Sequence, residues 1–216
     1  MSALSNGTVG GSPPPDLWRT HREWFWPRGA AYGPGSTCSG HNSCTQVCWS
    51  NSSLQQFLLE RAKEFLRRDP GARLISFSQL DNSNYCQSPT EAAIIAEEQS
   101  PAGPMLRAVN FIAQGLEAEF PNVMVDTLAY SYTQKVPVIT RPRQNVVIRL
   151  CTSSFDKDMI ESWSNLTKHI FVWDYLTDFG AYLEPFPITL QLPADIRFLA
   201  RNGVTGCTPP LPIPLL

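Results

Sequence analysis

Leu74-Ile-Ser-Phe-Ser-Gln-Leu-Asp-Asn-Ser-Asn-Tyr-Cys86 is the stretch that decides how this chain is read. An apolar run breaks off into amides, a carboxylate, an aromatic ring and a thiol. A strand buried on both faces reads as a near-continuous apolar run, and in parallel α/β sheets its C-terminal end opens onto a polar site. Two later segments repeat the plan, ending in Asp126-Thr-Leu-Ala-Tyr130-Ser-Tyr132 and in Trp173-Asp174-Tyr175. Polar and aromatic tips on such strands point to a sugar-type pocket at one end of a barrel-like sheet.

The segments between these strands have helical spacing. Residues 52–68 carry Leu54, Phe57, Leu58, Ala62, Phe65 and Leu66 on one stripe, with Ser52 or Ser53 placed to cap and Asp69-Pro70-Gly71 to stop. A strand over 73–78 follows. Residues 102–120 place Leu106, Val109, Ile112, Ala113, Leu116 and Phe120 on one side, and Pro121-Asn122 ends them. Strands are then expected over 123–129, 146–151 and 170–175, a helix over 156–166, another over 194–201, and one more strand opening at Val204. Strands separated by helices imply parallel pairing with right-handed crossovers. The expected fold is α/β, a partial (β/α)8 TIM-like barrel with about five of the eight strands a closed barrel needs. No Gly-x-Gly-x-x-Gly or P-loop follows any strand, so no cofactor is expected.

A length of 216 residues suits one domain, and 43% hydrophobic content is enough for a real core. A net charge of −2 argues against a nucleic-acid partner. No apolar run is long enough to span a bilayer, so no membrane partner is expected. Residues 1–17 are Gly/Ser/Pro-rich and are expected to be a disordered tail. Residues 18–207 form the barrel-like domain, and 208–216 a Pro/Leu tail. That tail cannot continue a central strand, so the chain reads as truncated. The polar N-terminus does not read as a signal peptide: either the protein stays inside the cell or its true start lies upstream.

Cys38, Cys44 and Cys48 cluster with His41 between them. They lack the paired C-x-x-C units of structural zinc sites, and a Cys38–Cys44 disulfide is the competing reading in a secreted protein. Cys151 reads as a small buried hydrophobe. N-x-[ST] sequons stand at Asn6, Asn51 and Asn165.

Strand alternation puts Met124, Asp126, Leu128 and Tyr130 on one face, and Val147, Arg149 and Cys151 on another. If both faces point inward, Asp126 and Arg149 can pair. The pair either fixes strand register or presents Arg149 as a clamp for a substrate carboxylate. Asp174, at a strand end, is placed either as a general base or as a cap on the next loop. Asp81 and Asn82 are either site residues or turn formers. Tyr85, Tyr130, Tyr132, Trp173 and Tyr175 are either sugar platforms or ordinary packing. Glu23, between aromatic residues, is a further carboxylate whose pKa burial would raise, and His169 reads as a surface residue. Glycoside hydrolysis needs two carboxylates across a cleft, and the sequence leaves the pair open among Asp81, Asp126, Asp174 and Glu23.

Phe77-Ser-Gln-Leu-Asp-Asn-Ser-Asn-Tyr-Cys86, Val125-Asp-Thr-Leu-Ala-Tyr-Ser-Tyr-Thr133, Arg141-Pro-Arg-Gln-Asn-Val-Val-Ile-Arg-Leu-Cys151, Trp173-Asp-Tyr-Leu-Thr-Asp-Phe-Gly-Ala-Tyr-Leu183 and Ile196-Arg-Phe-Leu-Ala-Arg-Asn-Gly-Val-Thr-Gly206 together resemble domain-of-unknown-function family 4838. The likeness runs from about Trp18 to Gly206. It implies a barrel similar to those of α-glucuronidases and hexosaminidases, acting on a glycan. Two departures stand out. The family often carries a Cys-x-Cys-x-x-Cys cluster where this chain has Cys86, Ser88 and Glu91, which argues against a metal or disulfide knuckle there. An acidic strand tip expected after Gly206 is replaced by Cys207-Thr-Pro-Pro.

The expectation is a glycoside-hydrolase-like domain whose pocket is lined by Gln79, Asp81, Asn82, Tyr130, Arg149, Asp174 and Tyr175. Asp174 and Asp81 would do acid/base work, and Arg149 would hold a uronate or other anionic group. The rival is a non-catalytic glycan-binding module. A zinc protein built on Cys38 to Cys48 is a weaker third reading.

Overall fold

The structure is a computed structural model that describes residues 2–4, 8–10, 17–26, 46–151, 155–175, 180, 181, 184, 188 and 190–208. Two short strands, β1 (Ser2–Leu4) and β2 (Thr8–Gly10), pair antiparallel within the expected N-terminal tail; the rest of 1–16 lies outside the described residues. A helical turn, α1 (Leu17–Thr20), and a 3-10 turn (Arg22–Trp24) lead into β3 (Phe25–Trp26), which pairs antiparallel with β4 (Gln46–Val47). Cys38, His41 and Cys44, on which the zinc and Cys38–Cys44 readings rest, lie outside the described residues.

The body is α2 (Ser52–Arg68), β5 (Leu74–Ser76), α3 (Pro89–Glu98), α4 (Ala102–Glu117), β6 (Met124–Ala129), β7 (Val146–Cys151), α5 (Lys157–Ser164), β8 (Ile170–Trp173), α6 (Leu192–Arg201) and β9 (Gly206–Thr208). Strands β5 to β9 form a five-stranded sheet in sequence order, every neighbouring pair parallel. The mixed α/β reading therefore stands, as a parallel sheet alternating with helices. The strand order never reverses, so the sheet has no switch point of the doubly wound kind.

The two faces differ in chemistry. Ile75, Phe77, Val125, Ala129, Val146, Ile148, Leu150, Ile170 and Val172 belong to one core with α2, α4 and α5. Alternation turns Ser76, Asp126, Arg149 and Phe171 to the other face. All six residues of β7 are buried, which is why it reads as an unbroken apolar run around Arg149. On the helical face α2 packs against α4, and Leu59 fills the space over Gly115, where a Cβ would come within 2.5 Å of it.

Local chemistry differs from expectation at three points. Asn51, not Ser52 or Ser53, caps α2: its Oδ1 accepts from the Leu54 N–H at 3.1 Å. Helix α3 has no apolar stripe at helical spacing; its buried residues are Glu91 and Glu98, and Ser88 caps it with Pro89 in the first turn. Cys86 forms a disulfide with Cys48, 38 residues away. No cysteine stands close to Cys86 in sequence, so the local cluster pattern does not report this bond. Cys48 is carried in from β4, beside the loop that follows β5.

Candidate functional site

The C-terminal ends of β5, β6, β7 and β8 bring most of the nominated residues together. Past β5, the Gln79 amide donates to the Tyr130 carbonyl at 2.6 Å and to Thr133 Oγ1 at 2.8 Å. This ties the exit loop of β5 to that of β6. Gln79 is buried, and its Oε1 has no hydrogen-bond partner among the described residues. Next along the loop, Asp81 is exposed, and its Oδ1 accepts from the Tyr130 hydroxyl at 2.8 Å. That bond, helped by burial, pushes the Tyr130 phenol up to about 12. Tyr130 is therefore a hydrogen-bond donor at neutral pH and not a base.

Tyr175 and Cys151 close the other side. The Cys151 sulfur and the Tyr175 hydroxyl are 3.9 Å apart. Burial pushes the Cys151 thiol up, so it is held neutral and is not activated as a nucleophile. Burial also raises the Tyr175 phenol, with Cys151 and Asp81 adding to the effect. Asp81, Tyr130, Cys151 and Tyr175 thus share one electrostatic neighbourhood.

Asn82 serves its own loop. Its side-chain oxygen accepts from the Asn84 N–H at 3.0 Å, an Asx turn, and from the Gln46 amide at 3.1 Å. Gln46 is fully buried and also binds the Leu80 carbonyl at 2.8 Å and the Leu80 N–H at 3.0 Å. The β4 segment therefore holds the Asp81 loop by hydrogen bonds as well as by the disulfide. Tyr85 stacks on Tyr132 with ring centroids 5.1 Å apart, so these rings pack on each other.

Arg149 lies deeper. Its Nε donates to Asp126 Oδ2 at 2.8 Å, and its Nη2 binds the same oxygen. Burial pushes the Asp126 carboxyl up and the guanidinium pulls it back. The Arg149 guanidinium also lies 5.4 Å from the centre of the Phe171 ring.

Asp174 is half-buried, and its Oδ1 accepts from the Tyr175 N–H at 2.9 Å, the strand-end capping role. Burial raises its carboxyl, and the neighbouring charge of Asp195 raises it further. Asp195 was not nominated from the sequence, where it reads as an ordinary first-turn helix acid. Glu23 is not the buried carboxylate expected: its side chain is 50% exposed and lies 3.3 Å from His21.

Two cavities of about 260 and 510 Å³ lie at the opposite, N-terminal edge of the sheet. One is flanked by Arg67 and Glu119, which pair at 2.6 Å; the other by Arg143, Lys168 and His169. Neither contains a nominated residue. No helix among the described residues is long and apolar enough to cross a membrane.

With this geometry in place, comparison with known proteins adds one result. The profile of a family described as Domain of unknown function (DUF4838) matches residues 14–209. The chain belongs to that family. No curated protein matches it. In this DUF4838 domain the matched region takes in the whole parallel sheet and every residue of the polar rim.

Proposed function

We propose that this DUF4838 domain is glycoside-hydrolase-like and acts on a polysaccharide, with uronate-bearing glycans as the first class to test. One observation carries the reading. Gln79, Asp81, Tyr130 and Tyr175 converge at the C-terminal end of a parallel sheet whose strands run in sequence order. Unreversed order, with the core packed on one face, is the arrangement of a segment of a (β/α)8 barrel, and barrels carry their sites at that end. The exposed Asp81 carboxylate and the Tyr130 and Tyr175 hydroxyls and rings suit a sugar, which offers both hydroxyls and C–H faces.

A specific observation favours a second reading, a non-catalytic glycan-binding module. Asp81 is engaged by the Tyr130 hydroxyl and Asp174 by the Tyr175 N–H, so each of the two carboxylates nominated for acid/base work already has a partner within the fold. One experiment separates the readings. The purified protein is screened on a glycan array, and bound glycans are then assayed for release of reducing sugar. Binding with release supports hydrolysis; binding without release supports the second reading. Failure to bind any glycan overturns both.

A further inference from the structure

Buried carboxylates are ordinarily paired with a cation or bound to a metal. Glu98 and Asp126 follow that rule, meeting Arg107 and Arg149. Glu91 does not. It is 2% exposed, and no ion pair reaches it among the described residues. Its Oε1 accepts from the Ser50 N–H at 2.8 Å. What lies beside it is sulfur. A carboxylate oxygen of Glu91 and the sulfurs of Cys48 and Cys86 all lie within 4.8 Å of one another, and all three residues are buried.

Contacts other than the disulfide hold these three residues in place. The Cys48 N–H donates to the Trp24 carbonyl at 2.8 Å, which fixes the backbone that carries the first sulfur. Gln46 binds the Leu80 carbonyl and N–H, which keeps the chain leading to Cys86 beside β4. Ser88 Oγ accepts from the Glu91 N–H at 3.3 Å, which sets the start of α3 close behind Cys86. The cluster therefore has a frame that outlasts the sulfur–sulfur bond. Its spacing also suits a metal. Zinc–sulfur bonds of about 2.3 Å put two tetrahedral sulfurs about 3.7 Å apart, which side-chain rotation reaches once that bond is broken. Near the cluster, Trp49 Nε1 and the Tyr132 hydroxyl are buried without a hydrogen-bond partner among the described residues. Such groups are the usual outer-shell donors to metal-bound thiolates and carboxylates.

We propose that Cys48, Cys86 and Glu91 bind one zinc-type divalent cation when the Cys48–Cys86 disulfide is reduced. A dithiol reductant supplies two electrons: the sulfur–sulfur bond breaks, each sulfur takes a proton, and the dithiol closes to its own disulfide. The cation then displaces the two thiol protons, and a third where Glu91 carries one. Two thiolates select zinc over magnesium and calcium, which take oxygen ligands. Three protein ligands leave the fourth tetrahedral position to a small ligand such as water. The cation joins the same two chain segments as the disulfide and adds α3. The Asp81 loop thus stays pinned in a reducing compartment, where the disulfide does not persist. This inference stands apart from the glycan reading.

The test is an anaerobic titration of the full chain with cobalt(II), a coloured stand-in for zinc, after reduction with a phosphine and its removal. The expected result is one cobalt per reduced chain, with a thiolate-to-cobalt charge-transfer band and the strong visible bands of a tetrahedral ion. The oxidised chain should show neither. Glu91→Gln should weaken binding at least about tenfold. Cys38→Ser with Cys44→Ser, which removes the other cysteine pair, should leave the titration unchanged. A reduced chain without the charge-transfer band overturns the proposal. So does binding at full affinity in Glu91→Gln, or binding lost with Cys38 and Cys44. If the reduced chain unfolds without metal, zinc decides on its own: recovery of a cooperative thermal transition supports the site, and no recovery overturns it.

Discussion

Arg149 reaches diagonally from β7 to Asp126 on β6 and binds one carboxylate oxygen with two of its nitrogens, both side chains being buried. In the register of these strands Asp126 lies opposite Val147, and Arg149 lies two residues further on, opposite Leu128. A slip by one residue would turn one of the two charges to the helical face and strand it in apolar core. The pair therefore helps select the register of the central strands.

Breaking it from one side should be severe. Arg149→Met leaves Asp126 buried without its cation and should cost about 3–5 kcal/mol in urea denaturation, whereas Asp126→Leu with Arg149→Met should recover most of that. A single-variant loss below about 1 kcal/mol would contradict the assigned role. The penalty should also respond little to added salt, because buried pairs are poorly screened.

Glu91 gives a pH signature. It is buried on α3, accepts from the Ser50 N–H at 2.8 Å, and burial pushes its carboxyl up to about 7. A folded-state value above the unfolded one means that the folded protein prefers the neutral acid. The stability this group contributes is present below the unfolded value and is lost as pH rises through 7. Glu91→Gln keeps the accepting oxygen and removes the ionisation. It should match wild type at pH 4 and be more stable by about 3 kcal/mol at pH 8. Thermal melts at the two pH values decide, and parallel pH curves for both proteins would count against the assignment.

Glu98, seven residues along the same helix, should behave in the opposite sense. Burial acts to raise its carboxyl, but hydrogen bonds from Thr140, Arg107 and the Ile139 N–H outweigh burial and hold it below the ordinary range. Its oxygens accept from Ile139 N at 3.0 Å, Thr140 N at 2.9 Å and Arg107 Nε at 2.8 Å. A lowered folded value gives stability that is present above the unfolded value and lost on acidification. Glu98→Gln should cost about 3 kcal/mol at pH 7, as charge-assisted bonds become neutral ones and the amide presents a donor to donors. Hydrogen exchange should quicken first at Ile139 and Thr140. Protection there equal to wild type would show that Glu98 does not anchor that loop.

Cys48–Cys86 closes a loop of 38 residues. On the chain-entropy account such a link contributes about 4 kcal/mol. Cys48→Ser with Cys86→Ser should lower denaturation midpoints accordingly and loosen Leu80 to Asn84, which hydrogen exchange will register. An unchanged midpoint would mean that the Gln46 hydrogen bonds alone hold the Asp81 loop.

Much of this was legible beforehand, for physical reasons. Strand β7 is buried throughout and so reads as a continuous apolar run; α2 and α4 face a core along one stripe and so read at helical spacing. Alternation put Asp126 and Arg149 where they could pair if both faces pointed inward, and they do pair. Helix α3 was invisible to an apolar-stripe search because what it buries is Glu91 and Glu98. The Cys48–Cys86 link joins residues that only the folded chain brings near. At the rim, parity along the strands and composition nominated Asp81, Tyr130 and Tyr175.

The crosslink also sets how the molecule responds to proteolysis. A protease that cuts once between residues 49 and 85 severs the backbone without releasing a piece, because the sulfur bridge spans the cut. Such a nicked molecule migrates as one species on a non-reducing gel and separates only when a thiol is added. Damage in that stretch would escape any assay that monitors size alone.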